Sequence, residues 1–101
     1  MENSLFVGPG IELLYNAMID LRFHEENLSK HGIKPEEVEE CFSDVRRLVR
    51  KIGEIYWLIG KTEAGRLLQV GYRKEVDRTY FVFHAMAARE HELKRYKTRG
   101  K

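Results

Sequence analysis

Four β-rich runs, Arg47 to Ile52, Ile55 to Lys61, Arg66 to Arg73 and Arg78 to His84, follow one another closely. Only Gly53-Glu54, Thr62-Glu63-Ala64-Gly65 and Lys74-Glu75-Val76-Asp77 separate them. A parallel return needs a crossover of about a dozen residues or more, so connections this short predict antiparallel neighbours. Upstream, Ile19-Asp20-Leu21-Arg22-Phe23 alternates apolar with charged residues, the period of a half-buried strand. The chain is therefore expected to build an antiparallel sheet of four to five strands, which helices must cover on at least one face.

Helices are expected on both sides of these runs. A short one should span Glu25 to His31, where Gly32 supplies the left-handed residue that ends helices. Ile33 and Val38 bracket Lys34-Pro35-Glu36-Glu37 as a hydrophobic staple does, with proline at the first helical position and glutamates at the positive helix end. In the helix that starts there, Val38, Cys41, Phe42 and Val45 recur at steps of three and four, so one face is apolar and must pack on the sheet. After His84 come the helix formers Ala85, Ala87, Ala88, Glu92, Leu93 and Lys94, with Glu90 and Lys94 in the supporting i,i+4 order. The fold class is α+β: two short helices, then the sheet, then one basic C-terminal helix packed against it.

A chain of 101 residues with 43% apolar and 11% aromatic content supplies one core. Residues 18–101 are read as a single domain. Residues 1–17 form an N-terminal extension in which Ile11, Leu13, Leu14 and Tyr15 suit a short helix. The lone Cys41 falls among apolar helix positions, where a thiol behaves as a small hydrophobe, and a chain without a possible internal disulfide fits a reducing cytoplasm. No apolar run nears the roughly 20 residues that span a bilayer, and Met1 to Gly10 lacks a basic secretory start, so neither insertion nor export is expected.

Net charge of +2 argues for no partner by itself, but the charges come in blocks. Glu36, Glu37, Glu39, Glu40 and Asp44 form an acidic stretch, and Arg46, Arg47, Arg50 and Lys51 follow at once. Arg89, Lys94, Arg95, Lys97, Arg99 and Lys101 make a second basic block against Glu90 and Glu92. Two basic blocks far apart in sequence frame an anion-binding groove if the fold joins them; each taken alone reads as a solvated face. Several chemistries find no support. One cysteine and the scattered His24, His31, His84 and His91 lack zinc-ligand spacing, and neither a Walker lysine motif nor a G-x-S-x-G elbow occurs. No metal or cofactor is expected, and no helix-turn-helix signature points to direct DNA reading.

Three stretches, in order, resemble the motifs of one known family. Asn27-Leu28-Ser29-Lys30-His31-Gly32-Ile33, followed by Pro35-Glu36-Glu37-Val38 and Phe42, is similar to that family's N-x-x-K-H-G turn between two helices. Leu58-Ile59-Gly60-Lys61-Thr62-Glu63-Ala64-Gly65-Arg66-Leu67-Leu68 resembles its IGRTxxGRLL hairpin, and His84-Ala85-Met86-Ala87-Ala88 with Glu92 and Tyr96 resembles ARxAxxxExxxY. The likeness, to the BrnT family of toxins, covers residues 19–97. It implies a RelE-like antiparallel sheet with packed helices, and the ribonuclease half of a type II toxin-antitoxin pair whose cognate antitoxin neutralises it. Two departures stand out. His24-Glu25-Glu26 directly precedes Asn27, about one helical turn shorter than the family segment and without its lysine; Met86 stands where the A-R-x-A motif carries arginine.

Cleaving RNA without a metal needs a base for the 2′-hydroxyl, cations for the phosphate and an acid for the leaving oxygen. The candidate catalytic residues are Arg66, His84, Glu92 and Tyr96; the candidate RNA-binding residues are Lys30, His31, Lys61, Arg89 and Arg95. Arg66 could make a forked phosphate contact, or be a plain edge-strand arginine. His84, with an ordinary pKa of about 6.5, suits acid or base work, or a hydrogen-bonded structural role. Lys30 and His31 close a helical turn, where a cation is favoured by the dipole alone. Glu92 and Tyr96 are expected on one helix face with Ala88 and Ala85; a solvated carboxylate and a packing tyrosine are the plain alternatives. Trp57, Tyr56, Phe81 and Phe83 are assigned to core. The leading expectation is a cytoplasmic, metal-independent endoribonuclease toxin partnered by an antitoxin, reaching DNA only through that complex. The alternative is a binding module that keeps the fold and engages a protein or RNA without cleavage. The nuclease reading requires Arg66, His84 and the C-terminal cations to share a cleft.

Overall fold

A computed structural model describes residues 19–98. The extension over residues 1–17, with its proposed helix, and Arg99 and Lys101 of the last basic block lie outside the described residues. Alternation in Asp20–Phe23 yields β1, whose Leu21 and Phe23 turn inward while Asp20 and Arg22 stay exposed. The chain then enters α1 (Glu25–Lys30), whose Asn27 amide is capped by His24 Nδ1 at 3.2 Å. Gly32, at φ +68°, turns the chain out of it. Next comes α2 (Pro35–Phe42), where Glu37 Oε1 reaches back to accept from the Lys34 amide at 3.0 Å and so occupies a helix-start donor. The remaining elements are β2 (Leu48–Ile52), β3 (Ile55–Lys61), β4 (Leu67–Lys74), β5 (Thr79–Ala87) and α3 (Glu90–Thr98).

The five strands make one sheet in the order β1-β5-β4-β3-β2. The hairpins β2-β3, β3-β4 and β4-β5 are antiparallel, as their short connections demand. The sheet is nevertheless mixed. β1 lies parallel to β5, with Asp20 opposite Thr79 and Phe23 opposite Val82, because the helices and the meander between them form the long crossover a parallel pair allows. The expectation of a wholly antiparallel sheet is corrected on this point.

A second correction concerns residues 85–87. Expected as helix, they extend β5: Ala85, Met86 and Ala87 pair with Val70, Gln69 and Leu68. The ladder with β4 outweighs the helix propensity of alanine, and Ala85 is fully buried in the core. Helix α3 begins only at Glu90, so Ala85 and Ala88 do not share a helical face with Glu92 and Tyr96.

Helices α1 and α2 cover one face of the sheet. Leu28, Ile33, Val38, Cys41 and Phe42 meet Leu58, Leu68, Val70, Tyr72, Val82 and Ala85 in a continuous core. The approach of α2 is close. A Cβ on Gly60 would lie 2.8 Å from the Cys41 carbonyl oxygen, so only glycine lets the helix backbone settle on β3. Burial pushes the Cys41 thiol up to about 12, with the nearby Asp44, Glu40 and Glu37 adding to it, which leaves an unreactive packing group. Among the described residues, no helix is long and apolar enough to cross a membrane.

Candidate functional site

The alternation that sends Leu58, Leu68 and Val70 into the core sends Trp57, Gln69 and Gly71 to the opposite face, where an irregularity in β5 beyond Val82 places His84 and Met86 as well. There Trp57 lies against Gly71, where an added Cβ would meet the indole at 2.8 Å. A bulge in the β4-β5 ladder pairs Gly71 with His84 but Tyr72 with Val82, leaving Phe83 as the extra residue. Phe83 and His84 thereby both reach the indole, with ring centroids 6.1 and 5.7 Å away in edge-on geometry. Trp57 and Phe83, assigned to core from sequence, stand instead beside a titratable group, each only partly buried.

His84 anchors a polar chain across this face. Its Nε2 lies 2.9 Å from Gln69 Oε1, and Gln69 Nε2 donates to Glu92 Oε2. The other Glu92 oxygen accepts from the Arg89 amide at 2.7 Å, at the entry to α3. The donors determine a tautomer. A carboxylate only accepts, so Gln69 turns its amide nitrogen to Glu92 and its oxygen to His84, and His84 must carry its proton on Nε2. The neutral ring then holds its lone pair on Nδ1. Burial lowers the His84 pKa below its ordinary 6.5, and the charges of His31 and Arg89 lower it further, against an opposing pull from Glu92. The His31 ring, at the end of α1, approaches His84 with centroids 5.7 Å apart.

Helix α3 shelters only part of the face. Between it and strands β2 to β4 runs a cleft of about 280 Å³, bordered by Arg50, Trp57, Gln69, His91, Glu92 and Arg95. The two basic blocks thus share one cleft, through Arg50 from the first and Arg95 from the second.

The expected site residues divide accordingly. His84, Glu92 and His31 come together through Gln69 and direct ring contact, Arg89 is within electrostatic reach, and Arg95 lines the adjoining cleft. Arg66 does not join them: its guanidinium meets Glu37 of α2 at 3.3 Å, on the helix-covered side. The requirement that Arg66 and His84 share a cleft therefore fails, although His84 and the C-terminal cations meet. Tyr96 donates to Asp44 Oδ2 at 2.6 Å, and Lys61 lies over its ring at 5.9 Å. Burial, then the hydrogen bond to Asp44, pushes the Tyr96 phenol up to about 12, so it stays protonated as a donor. Lys30 is exposed in the last turn of α1.

Sequence reasoning missed Gln69, Gly71 and Asp44. Asp44 accepts from Tyr96, from the Lys61 amide at 2.8 Å and from the Arg46 amide at 3.0 Å, tying α3 to β3 and to the loop before β2. In the sequence it reads only as the last member of an acidic run. Gln69 did carry a signal, as the one polar residue in Leu67-Leu68-Gln69-Val70. Among the described residues, no group of three or more His, Cys, Asp or Glu side chains is placed to hold a metal ion.

This fold and site define an α+β domain with a half-open mixed sheet and a hydrogen-bonded chain from His84 through Gln69 to Glu92 on its uncovered face. No protein-family model matches the chain, and no curated protein matches it.

Proposed function

We propose that the chain is a metal-independent endoribonuclease resembling the BrnT toxins, working from the uncovered sheet face and held in check by a cognate antitoxin. The observation that carries this reading is the placement of His84, hydrogen-bonded to Gln69 and with the His31 and Trp57 rings beside it. In the proposed reaction, His84 Nδ1 takes the proton of an RNA 2′-hydroxyl. The 2′-oxygen attacks the adjacent phosphorus, the bond from phosphorus to the 5′-oxygen breaks, and His31 supplies the proton to that leaving oxygen. The products are a 2′,3′-cyclic phosphate and a 5′-hydroxyl end. Arg89 and Arg95 supply positive charge for the phosphates, while Trp57 and Phe83 offer ring surface to unstacked bases. Gln69 and Glu92 orient His84, and Arg66 and Tyr96, on this geometry, serve the fold.

A second reading, a module that binds RNA without cutting it, is favoured by Met86. It pairs with Gln69 on the uncovered face, where an arginine would add a cation directly beside the relay. Purified chain incubated with RNA in the presence of a chelator separates the two. Cleavage to cyclic-phosphate ends, lowered about 10²- to 10⁴-fold by His84→Ala with RNA binding retained, is the expected result. Binding with no cleavage by the unaltered chain rejects the nuclease and leaves the module.

A further inference from the structure

We propose that the free edge of β2, with the cleft beside it, is a docking strip for an extended acidic and apolar segment of a partner protein, which adds to the sheet as a sixth strand. Among the described residues β2 pairs only with β3, so its outer edge presents backbone donors and acceptors without a strand partner. Val45, Val49 and Ile52 are 50%, 47% and 54% exposed. They are three of the four large apolar residues left exposed among the described residues, and they sit on or just before this one edge. Apolar side chains concentrated on an unpaired edge mark a surface that is covered in use.

The charge selects the occupant. Arg50 and Lys51 lie on the strand itself, and His91 and Arg95 of α3 close the far side of the cleft. A second copy docking β2 against β2 would bring these cations face to face, which is unfavourable. A strand carrying carboxylates beside Arg50 and Lys51, and aliphatic residues beside Val49 and Ile52, satisfies both the charge and the apolar surface. Register puts Leu48, Arg50 and Ile52 on the uncovered face, so the same strand would wall the cleft on whose far side stand Gln69 and Glu92. Docking would then restrict RNA access. That consequence rests on the nuclease reading; the docking itself does not.

Trp57 is the only tryptophan and borders the cleft, so its emission reports occupancy. The full chain is titrated with a short synthetic peptide containing valine-glutamate-glutamate-valine, and with a valine-lysine-lysine-valine counterpart. The acidic peptide should give a saturable change and slow amide exchange along β2, the basic one neither. Arg50→Glu, at an exposed position, should weaken the acidic peptide about tenfold or more. Equal responses to both peptides, or none, overturn the proposal, as does a change that tracks protein concentration alone and so signals self-association. An emission change with a single-stranded RNA but not with the acidic peptide, abolished by Arg50→Glu, reassigns the strip to RNA. Peptide binding by a chain that cuts no RNA keeps the docking strip and rejects only the nuclease.

Discussion

The two faces of this sheet handle aromatic side chains in opposite ways. On the covered face rings meet rings. Tyr72 stacks on Tyr56 at 5.3 Å and on Tyr80 at 5.0 Å, and Phe42 meets Tyr72 edge-on at 4.9 Å. Lys74 caps this group, 4.5 Å from the Tyr56 ring. On the uncovered face, Trp57 meets Phe83 on one hand and, on the other, an imidazole whose other contacts lead through an amide to a carboxylate. Apolar contact needs no orientation, whereas each polar group placed beside it needs a partner with the right donor. The uncovered face has therefore spent its freedom of side-chain choice on a directed chain, which is what a site for proton transfer requires.

Each face also contains a glycine that makes room, and exchanging these glycines tests the contrast most strongly. Gly60→Ala sets a methyl against the backbone of α2, which cannot step aside as a side-chain tip can. The gain in strand propensity offsets only part of that clash, so we expect a loss of about 2 kcal/mol in chemical denaturation. Gly71→Ala instead pushes on the Trp57 indole, so its signature is an altered Trp57 emission and weaker RNA binding. If Gly71→Ala costs as much stability as Gly60→Ala and leaves the emission unchanged, the two faces are not functionally distinct.

The next effect in size concerns what the uncovered face lacks. Met86→Arg places a guanidinium beside Gln69 and His84, and we expect RNA affinity or cleavage to rise about tenfold, roughly 1.4 kcal/mol. The arginine also adds to the charges that disfavour a protonated His84. No change in either measurement would mean that RNA does not lie along this part of the sheet.

A smaller effect should come from the bond that holds α3 over the cleft. Tyr96→Phe removes one hydrogen bond to Asp44 and keeps the ring, so we expect a loss of about 1 kcal/mol in stability and little change in the cleavage step. A large, selective fall in cleavage with stability intact would return Tyr96 to the catalytic group.

How much of this the sequence disclosed follows from the range of each interaction. Short hairpins and the staple around Pro35 are local, and β2, β3 and the start of α2 lie close to where periodicity put them, although α2 ends at Phe42 and leaves Val45 exposed beyond it. The parallel partner of β1 lies far away in the chain, where propensity has no reach, and the extension of β5 through Ala87 depends on its ladder with the start of β4, which overrides the local helix propensity. The same division applies to the site. His84 and Glu92 stood out by residue type, but the link between them is Gln69, a residue with no chemistry of its own to advertise. Arg66 looked like a phosphate ligand because a glycine turn precedes it; what occupies it is Glu37, 29 residues earlier.

The smallest shift expected is in pH dependence, and it probes the relay most directly. His84 must be neutral to accept a proton, and its pKa lies below 6.5 through burial and the charges of His31 and Arg89. The acid limb of the cleavage profile should therefore fall below pH 6.5. Glu92 favours the protonated ring, so Glu92→Gln should move that limb further toward acid, while His31→Ala, which also removes the proposed acid, should move the His84 titration itself, followed by NMR, toward neutrality by removing a like charge. The same depression carries a stability term: because the folded pKa is lower than the unfolded one, the contribution is complete above about pH 6.5 and is lost as pH falls through the folded value. Thermal melts of the unaltered chain and of His84→Phe, read on both sides of that interval, should converge toward acid if His84 is held neutral by its surroundings. A limb that does not move with Glu92→Gln, or a His84 titration that does not move with His31→Ala, would show that another group governs proton transfer, and the uncovered face would lose its claim to be more than a second packing surface.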